Sequence, residues 1–92
     1  MTSTEGAGAL FNRAGVTQVK YQLEQSDNTP GAMAEGTVFG EAGALRDAFN
    51  AGPCVLRLQS GDEAKIMLLD LFDSHGQTAA DFRTVASFAL KN

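Results

Sequence analysis

Residues 54–72 constrain the fold more than any other part of this chain. They read Cys-Val-Leu-Arg-Leu-Gln, then Ser60-Gly61-Asp62, then Glu-Ala-Lys-Ile-Met-Leu-Leu-Asp-Leu-Phe. Two strand-like runs around a short polar turn are the signature of a β-hairpin. In the first arm Cys54, Leu56 and Leu58 share one face, while Val55, Arg57 and Gln59 share the other. The second arm starts in the same alternation and becomes apolar on both faces over residues 66–69. A strand apolar on both sides must be covered on both sides, by the rest of the chain or by a partner.

Register follows from the same alternation, because a slip of one residue turns the apolar set outward. Pairing Leu58 with Ala64, Leu56 with Ile66 and Cys54 with Leu68 keeps the apolar side chains together. It sets Arg57 opposite Lys65 and Gln59 opposite Glu63 on the wet side. The predicted loop is Ser60-Gly61-Asp62, widening by one residue on each side if the end pair frays. Such loops favour glycine in the last position, and here it stands in the middle.

Upstream, residues 16–25 alternate cleanly, with Thr17, Val19, Tyr21 and Leu23 on one face and Gln18, Lys20, Gln22 and Glu24 on the other. This predicts a half-buried strand. Ser26-Asp27-Asn28-Thr29-Pro30-Gly31 is dense turn chemistry. A second strand is expected over residues 33–39, with Met33, Thr37 and Phe39 inward. Ala44, Leu45, Ala48 and Phe49 then recur at helical spacing. Glu41 is expected in the first turn, facing the positive end of the helix dipole. Gly52-Pro53 is a stop signal, and Leu45 and Phe49 are expected to pack on the sheet. Residues 78–85 read as a last strand.

The length supports a single domain with one modest core, and 43% apolar against 20% charged residues is a folding composition rather than a disordered one. One cysteine excludes an internal disulfide. No apolar run approaches the roughly 20 residues of a membrane helix. The start of the chain lacks the basic and apolar regions of a secretory signal. A cytoplasmic protein without membrane contacts is expected. The net charge is −4 and the seven basic residues are dispersed, so no nucleic-acid partner is expected, because phosphate recognition needs clustered cations.

Candidate chemistry is sparse. Asp70, Asp73 and His75 are potential metal ligands close in sequence, but turn chemistry accounts for the last two and the chain has no second histidine. No metal and no cofactor are expected. Cys54 and His75 are the one thiol–imidazole combination. Cys54 is in phase with Leu56 and Leu58 and follows a helix C-terminus, which marks an inert core thiol. The glycines precede the first alternating strand rather than following it, so they form no phosphate cradle. Strict alternation puts Asp70 on the core face, where an unpaired carboxylate is costly. A β-bulge near Leu69 is the better solution, turning Asp70 out and Leu69 and Leu71 in.

The resulting expectation is an α+β fold over residues 15–92, preceded by a flexible arm over residues 1–14. The domain is a small twisted antiparallel sheet or open barrel of about five strands, in the order β-β-α-β-β-β with the helix between strands two and three. The expected function is a non-enzymatic protein-interaction or structural module, self-associating or bound to another protein. Met67, Leu69 and Leu71 are its candidate interface. Barrel curvature, or the tails bearing Leu10-Phe11 and Phe88–Leu90, are alternative covers for that stripe, and a second copy is preferred. The competing reading is a small-ligand-binding domain with a pocket between helix and sheet and Asp70 and Arg83 as polar anchors. An enzyme would require Asp70, Asp73 and His75 to converge on a cleft.

Overall fold

A computed structural model of the chain describes residues 2–13, 15–25, 34–74 and 76–85. The chain forms β1 (Thr2–Asn12), β2 (Gly15–Gln25), β3 (Ala34–Gly40), α1 (Ala42–Ala51), β4 (Cys54–Arg57), β5 (Glu63–Ser74) and β6 (Gln77–Thr84). All neighbouring strands are antiparallel, and the order β1-β2-β3-β6-β5-β4 closes into a barrel through β1 and β4. The expected count of five strands and the open sheet are therefore corrected. The described residues form six strands, the sheet is closed, and the helix follows the third strand rather than the second. No helix among the described residues is long and apolar enough to cross a membrane.

The correction originates in residues 1–14, expected as a loose arm. Their glycines and alanines disguise a strand paired with β2 along its whole length, from Thr2 opposite Gln25 to Asn12 opposite Gly15. Small residues are what this strand needs. A Cβ at Gly6 would lie 2.8 Å from the Tyr21 hydroxyl, and one at Gly8 would lie 2.2 Å from the Arg57 carbonyl oxygen. The buried Tyr21 ring takes the space that side chains on β1 would fill. Its hydroxyl accepts a hydrogen bond from the Gln59 amide at 2.9 Å. Leu10 lies fully buried in the core. Phe11 stands opposite Val55 on the outside, with the Arg57 guanidinium 4.8 Å above its ring. Neither residue covers the β5 stripe.

β2 buries Val19, Tyr21 and Leu23 as its alternation predicts. On β3 the parity is opposite to the expected one. Ala34 and Val38 are buried, Thr37 and Phe39 point outward, and Met33 lies outside the described residues. The decisive residue is Gly36, on the inward side, where a Cβ would approach the Gln22 carbonyl oxygen to 2.0 Å. Towards β6, the buried Thr84 hydroxyl accepts from the Ala34 amide at 3.0 Å and donates to its carbonyl at 3.2 Å.

The hairpin keeps the predicted faces, but each partner shifts by two residues and the loop moves back by one. Cys54 faces Ile66, Leu56 faces Ala64 and Arg57 faces Glu63. The Leu58 amide bonds the Asp62 carbonyl at 2.7 Å, and the Gly61 amide bonds the Leu58 carbonyl at 2.9 Å. The three central residues become Gln59, Ser60 and Gly61, so glycine does stand last, with φ of 96°. This loop geometry requires a left-handed residue there, and the turn overrules the simpler side-chain pairing. The half-exposed Arg57–Glu63 pair, 2.8 Å apart, decorates the register and contributes about 1 kcal/mol at most.

The helix packs chiefly against β5 and β6 and joins the core cluster. Leu45 and Ala48 are fully buried, whereas Phe49, expected on the sheet, is 39% exposed. Glu41 caps the helix rather than joining its first turn, accepting from the Gly43 amide at 3.0 Å and the Ala44 amide at 2.7 Å. These backbone bonds, Ala44 first, hold its carboxyl below the ordinary glutamate range. The capping contribution is thus present above the unfolded-state value and is lost as pH falls through the lower folded one.

Gly8→Ala should lower stability by about 2 kcal/mol or more, because backbone must move. The thermal midpoint should drop by at least roughly 8 °C, while the exposed Ala7→Ser leaves it unchanged. Glu41→Gln should lower the midpoint at neutral pH and narrow its gap to wild type on acidification. A gap independent of pH would show that the carboxylate is not the cap.

Candidate functional site

The outer wall formed by β2, β3, β6 and β5 concentrates the polar and apolar residues left over from the core. Antiparallel register sets them in rows. Glu24, Glu35, Arg83 and Met67 face one another across successive strands, followed by Gln22, Thr37, Asp81 and Asp70, and then Lys20, Phe39, Ala79 and Phe72. Ala79 alternates outward and is nevertheless fully buried, between the cross-strand neighbours Phe39 and Phe72.

The bulge expected near Leu69 is present between Leu68 and Asp70. It turns Asp70 outward and brings Leu71 against the core, as anticipated. Leu69 itself remains 46% exposed rather than turning in. A bulge uses one extra residue, so the residues after it change face. Phe72 therefore joins Met67 on the outside and Leu71 leaves the candidate interface. Sequence reasoning passed over Phe72, although the same bulge, counted two residues further, exposes it.

Asp70 and Arg83 occupy adjacent rows of this wall, both exposed. They do not meet between helix and sheet, where Leu45 and Ala48 are buried in the core cluster. Asp70 stands directly opposite Asp81, and Asp81 accepts from the Thr37 hydroxyl at 3.0 Å. Like charges directly opposed on a sheet are unfavourable. Among the described residues neither carboxylate has an ion-pair partner, and neither does Arg83. An open groove of about 340 Å³ runs beside them, lined by Gln22, Glu24, Glu35, Thr37, Leu69 and Asp81.

The remaining candidates do not converge. Among the described residues no group of three or more His, Cys, Asp or Glu side chains is placed to hold a metal ion, and His75 lies outside those residues. Cys54 is buried, its thiol donating to the Gly52 carbonyl at 3.2 Å and the Ala48 carbonyl at 3.6 Å. Burial pushes its pKa up. Compared with known proteins, the chain matches no family model, no curated sequence and no solved structure.

A raised pKa and a buried sulfur together suppress the thiolate that reacts. Native protein should therefore react with a thiol reagent at neutral pH only as fast as it opens, and a destabilising substitution such as Gly8→Ala should accelerate labelling. Rapid labelling of the native protein, insensitive to stability, would show an accessible thiol.

Proposed function

We propose that this chain is a non-enzymatic interaction module that presents the outer wall of β5 and β6 to a protein partner. The observation that carries it is the exposure of three large apolar side chains along one strand, Met67 at 39%, Leu69 at 46% and Phe72 at 37%. Single exposed apolar residues are ordinary, but a row of them on one wall is the pattern of a contact surface. Val85, 38% exposed and bonded through its amide to the Lys65 carbonyl, extends the row just past the end of β6.

Closure of the barrel supports the same reading. Strand addition, a common way for a sheet to take a partner, needs an unpaired edge. Here the two terminal strands of the sheet are paired with each other over Ala9–Phe11. Closure favours recognition through side chains, and the β5 wall carries the apolar ones. Its charged margin, Arg83 on one side of Leu69 and Asp70 and Asp81 on the other, supplies orientation more than affinity.

A photo-crosslinking amino acid in place of Leu69 tests this in the native host. It should give discrete adducts that excess wild-type chain competes away and excess Met67→Lys chain does not. The same group in place of Arg46, exposed on α1, should give none. An absence of adducts from position 69, or equal adducts from both positions, would remove the basis for an interaction module on this wall.

A further inference from the structure

The charges around the apolar row divide it into unlike halves. On the Met67 side of Leu69 stand Lys65 and Arg83, the latter between Met67 on β5 and Glu35 on β3, with which it forms no ion pair among the described residues. On the Phe72 side stand Asp70 and Asp81, opposed to each other and without a cation among the described residues. In a single chain this arrangement is poorly satisfied, because two carboxylates face each other while the guanidinium one row away forms no ion pair with them. A partner that laid a cation over the carboxylates and an anion over Arg83 would satisfy both halves together.

Resting on the interaction-module reading, we infer that the partner is a second copy of this chain. The geometry has one simple solution. A two-fold axis lying in the plane of the interface, crossing β5 at a right angle near Leu69, places the two β5 strands face to face and antiparallel. The Met67–Arg83 half of each copy then covers the Phe72–Asp70–Asp81 half of the other. An isologous contact of this kind uses every interaction off the axis twice. The apolar centre is Leu69 against its own symmetry mate, flanked by Met67 against Phe72, and Arg83 lies over the carboxylate pair. Three apolar side chains make a small centre, so the association belongs to the weak, reversible class rather than the obligate one.

Charge reversal tests the pairing without touching the core. Arg83→Glu opposes like charges at both symmetry-related contacts, and so does Asp70→Lys with Asp81→Lys in one chain. Sedimentation velocity of wild type across the micromolar range should show a mass rising from one copy to two. Each charge-reversed chain should associate roughly tenfold more weakly or worse, since like charges facing across an interface are repulsive. Mixing the two charge-reversed chains should restore wild-type association, because every contact in the mixed dimer is again between opposite charges. Thermal midpoints within a few degrees of wild type confirm that the variants are folded. A chain monomeric at every concentration overturns the inference, as does a dimer indifferent to both reversals or not rescued by mixing. If adducts from position 69 persist while the chain stays monomeric, the interaction module stands and only the second copy fails.

Discussion

The pairing of β1 with β4 is the contact on which the rest of the structure depends. It is short, spanning Ala9–Phe11 against residues 55–57. Without it the sheet has two free edges and its interior lies open along one side. The seam forms because β1 carries almost nothing on its inward face beyond the buried Leu10. Gly8 lets the backbone come against the Arg57 carbonyl, and Gly6 admits the end of the Tyr21 ring. The Gln59 side-chain oxygen lengthens the seam by accepting from the Ala7 amide at 3.3 Å, while the Gln59 backbone N–H donates to the Tyr21 hydroxyl. The loop of the central hairpin is thus tied to the first strand. Glycine in a strand weakens it in isolation, and here that weakness is offset by the burial that close approach permits.

The second constraint is the bulge beside Leu69. Before it, β5 buries Ala64, Ile66 and Leu68; after it, Leu71 is the residue packed on the core. The break moves a carboxylate out of the interior, where desolvation would be severe. It has a consequence on the outside, where Asp70 comes to rest opposite Asp81 and Phe72 emerges next to Ala79. One local irregularity therefore both completes the core and fixes the unlike halves of the outer wall. Any protein that binds this surface reads the register of the bulge through the order of Met67, Leu69, Asp70 and Phe72.

The helix contributes differently. It supplies Leu45 and Ala48 to the core and packs chiefly against β5 and β6. Glu41 bonds two otherwise unpartnered amides at its start, and Gly52, with φ of 91°, turns the chain out at its end. The helix leaves Met67, Leu69 and Phe72 exposed on the outer wall. A helix laid against that wall would have hidden Met67, Leu69 and Phe72, and the molecule would present a different face.

Local patterns were legible in the amino-acid sequence wherever one strand face is apolar and the other polar. The alternation of Thr17 to Leu23, the hairpin of residues 54–72, the helix ending at Gly52 and the outward turn of Asp70 all follow from burial preferences that neighbouring residues express on their own. Only the tertiary structure decided what depends on a distant backbone. Thr2–Asn12 has no apolar alternation to announce a strand, because the residues it packs against, Tyr21 and Arg57, are remote in sequence and require it to be small. Gly36 inverted the expected faces of β3 for the same reason, and Gly61 moved the hairpin register through a turn conformation that outweighed side-chain matching. Apolar periodicity records what a residue buries. It does not record the space that a missing side chain leaves for another strand, and in this barrel that space is what closes the fold.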